Sequence, residues 1–112
     1  MPHRPGEPPA HYELFVEPEV HEARTRLPGH VRQRVKRAID DLTHAPRPAD
    51  SSDVDVTGLA VPIGVEMRRL RIDVWRILYA VSDGEGWVWV LAFHRRPPYD
   101  YEDLADIVAW LQ

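Results

Sequence analysis

Between Val31 and Leu42 the apolar positions Val31, Val35, Ala38, Ile39 and Leu42 recur at intervals of three and four. Residues so spaced line one stripe of an α-helix, and Arg32, Arg34, Lys36 and Arg37 fall largely outside that stripe. The pattern predicts a helix over about 30–44, halted by Pro46 and Pro48 because the residue before a proline is pushed out of helical geometry. A shorter helix is expected from about Glu19 to Arg26, behind Pro18, which suits a first helical turn but cannot continue a strand ladder. The break at Pro28-Gly29 makes the two a helical hairpin. Ahead of them Tyr12-Glu13-Leu14-Phe15-Val16 reads as a short strand.

From Val65 onward the apolar period falls to two. Residues 66–72, 74–81 and 87–93 read as three strands of an antiparallel meander, with Ser82-Asp83-Gly84-Glu85-Gly86 as a hairpin connection. Residues 46–57 hold prolines, serines and acids without a period and read as a loop. Leu104, Ile107, Val108 and Leu111 return to helical spacing behind Glu102 and Asp103, acids that suit a helix N-terminus. The expected order is β-α-α-β-β-β-α, an α+β fold with helices layered on one sheet face. Residues 1–10 read as a flexible Pro-rich tail and 11–112 as a single domain.

Alternation then sorts the arginines. Trp75, Ile77, Tyr79 and Val81 share one side of the middle strand and mark a core face, so Arg76 lies on the other. If Leu70 and Ile72 are the buried residues of the preceding strand, Arg69 and Arg71 join Arg76 on one open surface, with Arg95 at its rim. Guanidinium forks match phosphate oxygens, which makes this face a candidate phosphate site. The plainer alternative is a solvated face paired with Glu66, Asp73 and the acidic loop, the commoner fate of surface charge.

The overall charge of −4 would argue against a nucleic-acid binder. Segregation changes that: six of the 14 basic residues lie between Arg24 and Arg37 and six between Arg68 and Arg96, and a steering field is local. There is no cysteine, which excludes disulfides and zinc-thiolate sites and fits a reducing cytoplasmic setting. No segment reads as a signal sequence or membrane span, so no membrane partner is expected. Six histidines without paired short spacing give no reason to expect a metal or other cofactor.

The run Met67-Arg68-Arg69-Leu70-Arg71-Ile72-Asp73-Val74-Trp75-Arg76-Ile77-Leu78-Tyr79-Ala80-Val81 resembles the "yRlRvgdyRviY-v" signature of the RelE/ParE toxin superfamily. Phe93-His94-Arg95-Arg96-Pro97-Pro98-Tyr99 resembles its terminal "hR-----Y" element, and Leu27-Pro28 through Pro48 resembles its helical hairpin. The resemblance spans about residues 12–101 in order. It implies the toxin of a type II toxin–antitoxin system whose partner is a cognate antitoxin protein. For the RelE-like branch it implies a ribosome-dependent mRNA endoribonuclease, an mRNA interferase that inhibits translation without a metal. There the ribose 2′-hydroxyl attacks the adjacent phosphate.

Carried onto this chain, the resemblance implies that Arg76 and Arg95 stabilise phosphate charge. Arg69 falls where RelE itself has a proton-transferring lysine, a task that guanidinium performs poorly because it does not give up its proton in proteins. Arg71 and Arg96 would add RNA contacts. Tyr99 or Tyr101 matches the C-terminal tyrosine that orients the nucleotide or helps deprotonate the hydroxyl. His94 has the unperturbed pKa suited to acid–base work near neutrality.

Each role has a structural counterpart: packing for Tyr99, Tyr101, Trp87 and Trp89, a backbone hydrogen bond for His94. Two features depart from the RelE pattern, the single lysine, Lys36, and the acidic overall charge. They keep open a non-enzymatic ParE-like inhibitor of DNA gyrase and a non-toxic binding module of the same fold.

Overall fold

The computed structural model describes residues 9–95 together with Val108 and Leu111. Chain order gives β1 (Glu13–Val16), α1 (Pro18–Thr25), α2 (Gly29–Asp41), β2 (Ser51–Asp53), β3 (Val65–Ile72), β4 (Trp75–Ser82) and β5 (Trp87–Arg95). The expected strand, hairpin and meander are all present, and the fold is α+β. The expected C-terminal helix lies almost wholly outside the described residues; of its positions only Val108, which is helical, and Leu111 are described.

Local chemistry accounts for the helices. Pro18 stands in the first turn of α1, where its missing N–H costs no hydrogen bond, with Glu19 beside it and Arg24 in the last turn, each complementing the helix dipole. No side chain caps α2. It is held instead by packing: Val35, Ile39 and Leu42 are fully buried, each contributing about 1.5–3 kcal/mol by leaving water.

The sheet order is β1-β5-β4-β3-β2. Strands β2 to β5 pair antiparallel, and β1 lies parallel to β5 at the far edge, so the sheet is mixed. One expectation fails at residues 46–57: Ser51–Asp53 pair with Arg68–Leu70 as an edge strand. Three residues are too few to show a period, and the pairing is non-local, so the segment carried no legible signal.

Each face of the sheet has its own core. On the helix side Leu70, Ile72, Ile77, Tyr79, Val81, Val88 and Val90 pack on Tyr12, Val20, Val35, Ile39 and Leu42. On the other side Met67, Leu78, Ala80, Leu91 and Ala92 pack with Val108, flanked by Val54, Val56, Leu59 and Val61 from the β2–β3 connection. The arginine-bearing face is therefore partly roofed, which corrects the expectation of an open surface.

Candidate phosphate-binding face

Cross-strand register decides which side chains share a face, because directly opposed residues of paired strands project to the same side. Arg71 stands opposite Arg76, Arg76 opposite His94, and Arg69 opposite Leu78. A row Arg71–Arg76–His94 thus crosses β3, β4 and β5 on the face turned away from the helices, with Arg69 two residues along. Neighbours in such a row lie about 4.5–5.5 Å apart at their Cβ atoms.

The row owes its composition to a β-bulge. Opposite Leu78 and Tyr79 the register of β5 skips Leu91, so Val90 pairs with Tyr79 and Ala92 with Leu78. Strict alternation from Trp87 and Trp89 would carry Arg95 to the arginine face and His94 to the helix face. The extra residue inverts that assignment. Arg95 instead pairs with Trp75, whose ring stacks on Phe93 against the helix-side core at a centroid distance of 4.8 Å. This corrects the placement of Arg95 beside Arg76. It is exposed at the end of β5, on the opposite face.

Arg76 is only 9% exposed. Its Nη1 donates to the carbonyl oxygens of Asp73 at 3.0 Å and Trp75 at 2.9 Å, so the β3–β4 turn fixes the guanidinium before any ligand arrives. That turn has two residues between Ile72 and Trp75, and the first, Asp73, adopts a φ of 52°. Its carboxylate accepts from Arg34 on α2. Arg71 is exposed, with its backbone N–H donating to Asp50 at 3.1 Å. Arg71 also lines a mixed-charge cleft of about 520 Å³ with Arg34, Arg37, Asp41, Asp50 and Asp73. Arg96, Tyr99 and Tyr101 lie outside the described residues.

Arg68 belongs to the opposite, helix-side set, since it pairs with Tyr79. Its largely buried guanidinium donates to Asp53 at 2.7 Å, Glu66 at 2.8 Å and Ser51 at 2.8 Å, so this arginine is ion-paired within the protein. Glu66 also accepts from Arg47, which reaches Asp83 at 3.0 Å, and Asp83 accepts from the Tyr12 hydroxyl. Burial would raise the Asp83 carboxyl, but the hydrogen bonds from Tyr12 and Arg47 hold it below its ordinary value. Tyr12 is pushed up, by burial first and by Asp83 second. Tyr79 is raised by burial, and its hydroxyl donates to the Pro46 carbonyl at 2.7 Å. The seam joins five chain segments, and no sequence spacing signals it. Among the described residues no group of His, Asp and Glu converges to hold a metal, and no helix is long and apolar enough to cross a membrane.

What the face offers is cationic charge fixed by backbone carbonyls beside an imidazole, a suitable arrangement for a phosphodiester and a proton. No protein-family model matches the chain, and no curated protein does. Solved structures do. The archaeal RelE–RelB complex from Pyrococcus horikoshii superposes with a TM-score of 0.66 at 22% identity, over 79% of this chain and 98% of that one. The toxin–antitoxin complex RelBE2 from Mycobacterium tuberculosis gives 0.59 at 17% identity, over 80% and 98%. The isolated RelE toxin of E. coli gives 0.53 at 19% identity, over 85% and 95%. The chain has the RelE-like toxin fold.

Proposed function

We propose that this protein is the toxin of a type II toxin–antitoxin pair and that it cleaves mRNA on the ribosome. The observation that carries the reading is the row Arg71–Arg76–His94 in register across three strands, on a fold shared with RelE toxins. Two of the similar structures are complexes with an antitoxin, which supports a protein partner of that kind for this chain.

In this reading the 2′-hydroxyl of the bound nucleotide attacks the adjacent phosphorus, the P–O5′ bond breaks, and a 2′,3′-cyclic phosphate and a 5′-hydroxyl result. Arg76, held by the Asp73 and Trp75 carbonyls, neutralises charge on the non-bridging oxygens as it grows. A donor fixed beforehand needs no reorganisation when the charge develops. His94 exchanges the proton, as the base for the hydroxyl or the acid for the leaving oxygen. Arg69 and Arg71 hold flanking phosphates. Arg95, on the far face at the strand end, contributes to RNA positioning rather than to the reacting phosphate.

The test is purified protein added to ribosomes programmed with a defined mRNA. Breaks within the codon in the A site are expected, and Arg76→Ala should lower the cleavage rate by about 10²-fold or more. Intact mRNA at large protein excess would overturn the reading. Trapped DNA breaks in a gyrase supercoiling assay would replace it with the ParE-like alternative.

A further inference from the structure

A second surface lies on the same side of the sheet but at its other end. Phe15 of β1 stands opposite Trp89 of β5, and Glu13 opposite Trp87, so the three aromatic rings share a face. Phe15 is 45% exposed. The two indoles meet edge to face, 6.2 Å between centroids at 78°, and with Phe15, Val16 and Glu17 they line a groove of about 480 Å³. Their buried edges pack against the second core, which fixes their orientation.

Carboxylates surround the rings. The Trp89 Nε1–H donates to Glu17 at 2.7 Å, the Trp87 Nε1–H donates to Glu85 at 3.1 Å, and Glu13 is exposed beside them. With both indole N–H groups satisfied at the rim, the groove presents π faces and negative charge. That combination disfavours phosphate and favours a cation with an apolar stem, since ring quadrupoles and carboxylates both attract positive charge. The groove is lined from two adjacent strands, and β1 is the outermost strand of the described sheet, so an extended polypeptide can lie along it.

We propose that this groove binds an extended segment of a partner protein in which an arginine or lysine stands among apolar residues. The cationic head seats against Trp87 and Trp89 within reach of Glu17 and Glu85, and the flanking apolar side chains cover Phe15 and Val16. The site is independent of the arginine face, which calls for the opposite charge in its ligand.

The probe is a blocked seven-residue peptide with a central arginine among leucines and threonines, titrated into the full chain and followed by tryptophan fluorescence. The arginine peptide is expected to bind at least about tenfold more tightly than the same peptide with glutamine or glutamate at its centre. Two variants keep the fold, one at an exposed ring and one that retains the acceptor for Trp89. Phe15→Ser and Glu17→Gln should each weaken binding several-fold. Equal affinity for the arginine, glutamine and glutamate peptides, or wild-type affinity in both variants, would overturn the proposal. The mRNA cleavage assay neither needs nor reports on this groove, so either proposal can fail alone.

Discussion

Tyr79 shows how one side chain can hold two distant segments. It is fully buried in the middle strand, and its hydroxyl donates to the Pro46 carbonyl beyond the end of α2. Tyr79→Phe keeps the ring and removes the donor, leaving a buried carbonyl short of a partner. A loss of about 1–3 kcal/mol is expected in urea unfolding. Asp73 is constrained by its backbone. At a φ of 52° a β-branched side chain meets the chain itself, so Asp73→Val should destabilise by about 1–2 kcal/mol and loosen the carbonyls that hold Arg76. At His94 the expected effect is on chemistry. On the proposed reading, His94→Gln should lower the rate of mRNA cleavage by about 10²-fold or more, while circular dichroism stays unchanged.

Among the elements, those with long apolar periods were legible in the sequence: α2, β3 and β4 lie where the spacing of Val35, Ile39, Leu70, Ile77 and Tyr79 puts them. The edge strand β2 was not, because its position depends on partners rather than on its own pattern. Ser51 and Asp53 receive the Arg68 guanidinium, and Ser51 also donates to the Pro48 carbonyl at 2.8 Å. Arg68→Met fills similar volume without the charge. It should speed amide hydrogen exchange in Ser51–Asp53 by tenfold or more while α2 remains protected, and unchanged exchange would mean that the backbone ladder alone holds β2. The arginine face was legible in half. The parity of β3 and β4 was readable from their buried residues, so Arg69, Arg71 and Arg76 could be grouped. The parity of β5 was not, since nothing in Trp87–Arg95 announces the extra residue.

For the whole molecule, one sheet with a core on each face is tied at its edge by the Tyr12–Asp83–Arg47–Glu66–Arg68 seam. Its charges set limits on stability at both ends of the pH scale. The Asp83 carboxyl lies below its unfolded value, so its contribution is present above about pH 4 and is lost as acid titrates it in the fold. Tyr12 and Tyr79 lie above theirs, so their contribution is full below about pH 10 and fades as the pH rises through the folded values. Thermal melting should therefore be flat from pH 5 to 9 and fall on either side. Tyr79→Phe should blunt the alkaline decline but not the acid one.

The skipped residue in β5 also bears on how relatives of this chain can be compared. A bulge is a change of parity: an extra residue taken up as a bulge leaves the facing beyond it unchanged, whereas the same chain length paired without the bulge reverses it. A relative of equal length whose last strand pairs without the bulge would show an identical His-Arg pair in an alignment, yet turn its arginine toward Arg76 and its histidine toward the helices, while one lacking the residue at Leu91 would keep the facing seen here. Aligned columns past that point do not transfer roles between members of the fold unless the bulges ahead of them are counted.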